Sequence, residues 1–437
     1  MSAPDGIAAT GQFPWAEHPL RRQLAGEVHA RPFELLRPPV RASHLAVAGG
    51  ERSHAAERSH LDALCARFGV ALPPADAIYF AGTFGAFRLR WERHAEFSTY
   101  TFFRFDPFDD PFAQTAVGLA PSDWLAGIPG PVMVANHLAL DDRRRSGVEM
   151  ASIFAGHGVI GCAVVGGSAE VFTDFHIHED GFGRFLVYDL GLTHGQAGRL
   201  TQRLFEIETY RSMALLSLPS ARQLGPELTA MNDELAQITA NLAAVGGPAG
   251  DRDLLARLTD IAAKAEHLSS AHSYRFSASK AYYALVQKRI EELREQRIPG
   301  MQTIAEFMDR RLGPAMNTCE ATTLRHASLS QRIARTSDLL RTRVDIGLEE
   351  QNRDLLRSMN RRAELQLRMQ ETVEGLSVVA ISYYTLSLIG HIAAGLHSLG
   401  AHIDPEQAEL ISFPVVVGMV ALGIRRLRKA VKGKGSH

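Results

Sequence analysis

Three short strings in this chain carry side chains whose types and spacing could do chemistry. In HARPFE, His29, Arg31 and Glu34 lie within six residues of one another beside the rigid Pro32. Such a trio could hold a phosphate or a carboxylate, with Arg31 donating two parallel hydrogen bonds. The plainer reading pairs Arg31 with Glu34 to pin an N-terminal segment onto the fold, because no glycine-rich loop stands nearby to cradle phosphate. In RWERHAEF, Arg90, Glu92, His94 and Glu96 alternate along an expected strand, which sends all four to one face. FHIHED does the same for His176 and His178, with Glu179 and Asp180 following. Two imidazoles and a carboxylate are a ligand set for Zn²⁺ or a similar ion. If the two strands met, His94, Glu96, His176 and His178 would form a regulatory metal site. Otherwise they line solvated, salt-bridged strand faces.

A fourth pattern lies near the C-terminus. Gly375 to Leu399 holds no Asp, Glu, Lys or Arg over 25 residues, enough helix to cross about 30 Å of hydrocarbon. Ser377, Tyr384, His391 and Ser398 recur every seven residues within or beside it, with Ser387 on the same side. A helix drifts only about 20° per heptad, so these groups form one stripe. Either the stripe lines a pathway, or its hydroxyls and imidazole bond across helix contacts. A shorter charge-free run, Leu410 to Ile424, follows and is flanked by Arg425 and Arg426, which can snorkel. Asp404, Glu406 and Glu409 lie between the runs, and an acidic ring there would concentrate cations.

Charge orients this hairpin. The stretch after Ile424 is basic and the connecting loop acidic, which places both chain ends on the cytoplasmic side of the membrane. The first 40 residues hold charges and prolines and no apolar core of signal-peptide length. Cys65, Cys162 and Cys319 are too scattered for a disulfide framework or a paired-cysteine metal site. A net charge of −1 gives no basic field, so nucleic acid is not an expected partner. No nucleophile elbow, phosphate-binding loop, dinucleotide fingerprint or zinc-protease motif is present, and the glycines at 161, 166 and 167 miss the dinucleotide register. No enzyme is expected, and no cofactor beyond a divalent cation.

The elements that must position these residues follow from periodicity. Runs at 43–48, 77–82, 87–93, 96–105, 131–140, 159–166, 170–178 and 183–190 are rich in β-branched and aromatic residues. The last two read as a hairpin turning at Glu179-Asp180-Gly181. Helical patterns occupy 51–68 and resume after Thr193. The reading is an α+β cytosolic domain over 1–195, a helical bundle over 196–300 punctuated by Pro219, Pro226 and the Gly246–Gly250 stretch, and a stalk helix over 301–372. A two-helix transmembrane hairpin over 373–424 and a basic tail over 425–437 complete it. The part of the stalk over 315–372 would be about 85 Å long. Leu348, Leu355, Arg362, Met369 and Leu376 recur at seven-residue spacing along it, a seam for other helices and hence for a homo-oligomer.

Several long strings carry a resemblance: EVHARPFELLRPP (27–39), RWERHAEFSTYTFF (90–103), residues 183–222 and residues 341–384. They resemble the bacterial membrane-anchored proteins of domain-of-unknown-function family 3422, in order and over nearly the whole chain. The architecture alone is similar to the CorA-type divalent-cation channels. The Gly-Met-Asn motif that ends their first span is absent, and GHIAAGLHSLG (390–400) stands in its place. Together these imply a membrane-anchored oligomer with a cation-transport or channel role. The competing class is a non-transporting, membrane-tethered cytosolic binding or scaffolding module.

Overall fold

The computed structural model describes residues 18–21, 24–25, 32–49, 54–75, 77–244, 248–398 and 404–432. The chain divides into two compact units, one made of residues 1–237 and 258–335, the other of 238–257 and 336–437.

The first unit is built on a mixed nine-stranded sheet. Its strands are β1 (Val40–Ala48), β2 (Tyr79–Phe84), β3 (Phe87–Arg93), β4 (Phe97–Arg104), β5 (Val132–Asp141), β6 (Ile160–Val164), β7 (Ala169–Thr173), β8 (Gly183–Asp189) and β9 (Gln296–Arg297). They lie in the order β2-β3-β4-β1-β5-β8-β7-β6-β9. Among the described residues only β5 and β8 run parallel; the other pairings are antiparallel. All eight runs expected to be strands form strands. The two-residue β9 is not foreshadowed by composition, because Gln296 and Arg297 have no strand-like character and are recruited by pairing with β6.

Alternation along the strands sends side chains to the two faces of the sheet. On one face Val40, Ala42 and Ala46 of β1 join Leu138 and Phe185. On the other, Leu45 and Val47 join Trp91, Tyr100 and Phe102. Helix α1 (His54–Phe68) covers the second face with Leu61, Leu64 and Cys65. Two short helices, α2 (Ser122–Ala126) and α3 (Gly147–Ile153), lie in the connections flanking β5.

Helix α4 (His194–Leu215) covers the first face with Leu200, Leu204 and Ile207. It starts with a capping box. Thr193 Oγ1 accepts from the Gln196 amide at 3.3 Å, and Gln196 Oε1 accepts from the Thr193 amide at 2.9 Å. Gly198 is needed here, since a Cβ at that position would lie 1.6 Å from the Glu34 carbonyl oxygen. The segment around residues 33–36 therefore runs directly over α4.

Helix α5 (Leu218–Ala244) continues through Pro226, which the sequence pattern reads as a break. Burial of Leu224, Leu228 and Met231 holds the helix despite the missing N–H. Val286 and Leu293 of α6 (Pro248–Leu293), with Ile304, Met308 and Leu312 of α7 (Ile304–Ser398), enter the same core as the sheet. The C-terminal part of α6 and the first turns of α7 thus pack into the core on this face of the sheet.

The second unit holds the rest of α7 and helix α8 (Pro405–Lys432). Asp404 starts α8, its Oδ1 accepting from the Glu406 amide at 3.1 Å ahead of Pro405 in the first turn. Glu409 rests on Gly390 of α7, where a Cβ would lie 1.8 Å from its Oε1. Among the described residues one helix, α7, is long and apolar enough to cross a membrane, and only 17% of its apolar window is buried. An exposed apolar window is unlike a core helix, whose apolar face is covered.

Candidate functional site

The strand register explains where polar groups gather. Pairing of Glu92 with Thr99, Arg90 with Thr101, and Thr101 with His44 puts these side chains side by side on the face covered by α4. They form a polar island beside an otherwise apolar core. A cleft of about 290 Å³ opens there, lined by His44, Arg90, Glu92 and His94 from the sheet side and by Glu206 and Arg289 from the helices. Arg90 and Glu92 pair at 3.3 Å with side chains only 5% and 7% exposed. Among the described residues, Arg90 Nε and Glu92 Oε1 are both buried without a hydrogen-bond partner. Unsatisfied polar atoms on a buried ion pair are costly. Arg289 is held by Glu206, and pairs with Glu292 at 3.1 Å.

His44 is wedged between Thr101 Oγ1 at 2.9 Å and Thr209 Oγ1 at 3.2 Å, and stacks on Phe205 at 4.6 Å. Burial lowers its pKa to about 3, aided by the charges of Arg90 and His94. At neutral pH it is an uncharged ring in the cleft wall. A larger hollow of about 510 Å³ has Arg203 and Glu292 in its lining, but these pair with each other at 3.0 Å.

A second gathering lies at the ends of β6 and β7. Ile160 opposes Thr173, and carrying that register three residues outward sets His157 opposite His176. Their rings stack at 4.3 Å. Asp174, fully buried, follows β7 directly. Its Oδ2 lies 2.8 Å from His157 Nδ1 and 3.0 Å from His178 Nε2. Its Oδ1 accepts from the His176 amide at 3.2 Å. Burial lowers the pKa of His178, against the opposing effect of Asp174. Ala155 and Phe175, which flank the cluster, have φ of 51° and 53°, a region non-glycine residues rarely occupy.

The residues singled out from sequence are thus redistributed. Arg90 and Glu92 lie on β3 as expected, but the strand ends at Arg93, so His94 and Glu96 sit in the turn to β4. His94 stacks on Phe97 at 4.4 Å, and Glu96 accepts from Arg275. Likewise β7 ends at Thr173, so His176 and His178 lie in the loop to β8 rather than on a strand face. The tight turn stands where it is expected: the His178 amide donates to the Phe182 carbonyl at 2.9 Å, and Gly181 has φ of 82°. Four strands separate β3 from β7 in the sheet, so the pair His94 and Glu96 does not meet His176 and His178. The histidines meet His157 and Asp174 instead.

Asp174 is within reach of sequence reading, two residues before His176 and four before His178. His157 is not, because only strand pairing brings it in. Glu34 pairs with Arg88 at 2.9 Å; His29 and Arg31 lie outside the described residues.

In the second unit, Ser377 Oγ donates to the Val373 carbonyl at 2.8 Å and Ser398 Oγ to the Gly395 carbonyl at 2.7 Å. His391 Nδ1 lies 2.7 Å from the Ser387 carbonyl oxygen. Ser382, Gly390 and Ala393 are the buried side of this stretch. At 3.6 residues per turn, the exposed Tyr384 and His391 point to roughly the opposite side. Of the acidic residues, Asp404 caps α8, Glu406 is exposed and Glu409 packs on Gly390.

No curated protein matches this chain, and the likeness to CorA-type channels is not borne out. A family model described as a protein of unknown function, DUF3422, matches residues 16–431, and the chain belongs to that family.

Proposed function

We propose that the protein is a membrane-tethered, self-associating module that binds a small polar ligand in the cleft under α4. The observation that carries this reading is the half-satisfied Arg90–Glu92 pair lining that cleft. A buried polar group without a partner calls for a ligand or ordered water to complete it. Two arginines and two glutamates balance one another in the lining. The fitting ligand is therefore uncharged or zwitterionic, with an adjacent donor and acceptor. Tethering rests on the exposed apolar window of α7, with α8 as the second arm of a transmembrane hairpin, both chain ends on the cytoplasmic side of the bacterial inner membrane. Self-association rests on Leu348, Leu355, Met369 and Leu376, all exposed at multiples of seven residues. The tether is favoured over transport because Ser377, His391 and Ser398 are satisfied on their own helix, and a satisfied hydroxyl needs no aqueous pathway.

Three measurements test this reading. Full-length protein in nanodiscs should run as an oligomer by native mass spectrometry, and a panel of amino acids and small amides should contain a compound that raises its unfolding temperature. A chain ending after Thr372 should leave the membrane fraction and keep that thermal response. A response lost with the apolar helices would return the function to the membrane segment.

A further inference from the structure

We propose that His157, Asp174 and His176, with His178 beside them, form a binding site for a divalent first-row transition ion of the Zn²⁺ type. This goes beyond the cleft under α4 and does not depend on it. One ligand atom from each of His157, Asp174 and His176 lies within 4.8 Å of the other two. Around tetrahedral Zn²⁺, ligand atoms stand about 3.3 Å apart, so a small contraction of the loop closes the set. Imidazole nitrogens with one carboxylate suit Zn²⁺ and its neighbours better than Mg²⁺ or Ca²⁺, which require oxygen.

The state of His178 argues the same way. Its Nε2 is 3.0 Å from Asp174 Oδ2, yet it is buried and makes no hydrogen bond among the described residues. The distance is right for a hydrogen bond and the alignment is not, as happens when two lone pairs point at a third centre. Asp174 and His178 form the buried wall, while His157 and His176 leave the other side open to solvent, which gives an ion a route in. A purely structural role for Asp174, pinning the loop through His157 and the His176 amide, accounts for its own bonds but leaves His178 Nε2 unexplained.

The test uses untagged full-length protein in detergent, stripped with chelator and titrated with Zn²⁺ against a chromophoric competitor. Co²⁺ absorption serves as an independent readout of coordination. Wild type should take up one tight equivalent and give visible bands typical of a nitrogen-rich tetrahedral site. His176→Ala should weaken binding at least about 10-fold, as should Asp174→Asn. Because Asp174 is buried, its substitution can unfold the loop for reasons unrelated to metal. The exposed His176 is free of that ambiguity, and circular dichroism checks the fold of both variants. Absence of a tight equivalent in wild type overturns the proposal. So does a His157→Ala/His176→Ala double variant that binds Zn²⁺ and Co²⁺ like wild type.

Discussion

The two units use their polar side chains differently. In the α/β unit, His44, Arg90, Thr101 and Thr209 come from three strands and a helix and meet in a buried place where no single element could satisfy them. Along the apolar stretch of α7, Ser377 and His391 are satisfied by carbonyls one turn back. The first arrangement costs stability unless tertiary partners hold it, and it leaves atoms free for a ligand. The second costs little and commits its groups locally. Regular polar spacing on a helix is therefore a weaker pointer to a site than polar residues that interrupt a packed core.

The sharpest way to break this contrast is at Glu92. Glu92→Gln leaves the Arg90 guanidinium buried without its counter-charge and should cost about 3–5 kcal/mol in denaturant unfolding. Replacing both residues by methionine should recover most of that loss. A cost below about 1 kcal/mol for the single change would make the island ordinary.

Acid comes next. His44 in the folded protein stays neutral down to about pH 3, whereas its unfolded counterpart titrates at 6.5. Between those values the unfolded state binds more protons, so this contribution is complete above pH 6.5 and is lost as pH falls. At pH 5 the loss is about 2 kcal/mol relative to pH 7. His44→Gln should flatten that part of the pH dependence of the unfolding midpoint. An unchanged profile would mean that His44 is not the buried neutral ring described here.

The smallest effect belongs to the stripe. Ser377→Ala and His391→Leu should each change unfolding stability by less than about 0.5 kcal/mol, and should leave membrane retention and ligand response intact. A larger loss, or a lost pH-dependent ion flux in proteoliposomes, would restore a pathway role to that face.

Much of the fold was legible in the residues. Alternation of β-branched and aromatic side chains marked eight of the nine strands, since a half-buried pleat imposes its period on composition. The helical pattern after Thr193 marked the start of α4, and Asp180-Gly181 the turn before β8. The charge-free run from Gly375 marked the apolar window of α7, because its composition alone sets its hydropathy. Strand ends were less legible. His94, His176 and His178 kept an alternating pattern past the last ladder pair, and nothing local says that Arg93 and Thr173 are where pairing stops.

The sequence by itself thus determined the elements and the chemical types available: imidazoles, carboxylates and guanidiniums in short clusters, and one apolar stretch long enough for a bilayer. Only the tertiary structure decided which of them meet. Sheet order kept His94 and Glu96 from His176 and His178, while the β6–β7 register brought His157, from a glycine-flanked loop, against His176 and Asp174. Elements are set by interactions between near neighbours, which periodicity records. Sites are set by pairings between distant segments, and a linear pattern carries no record of those.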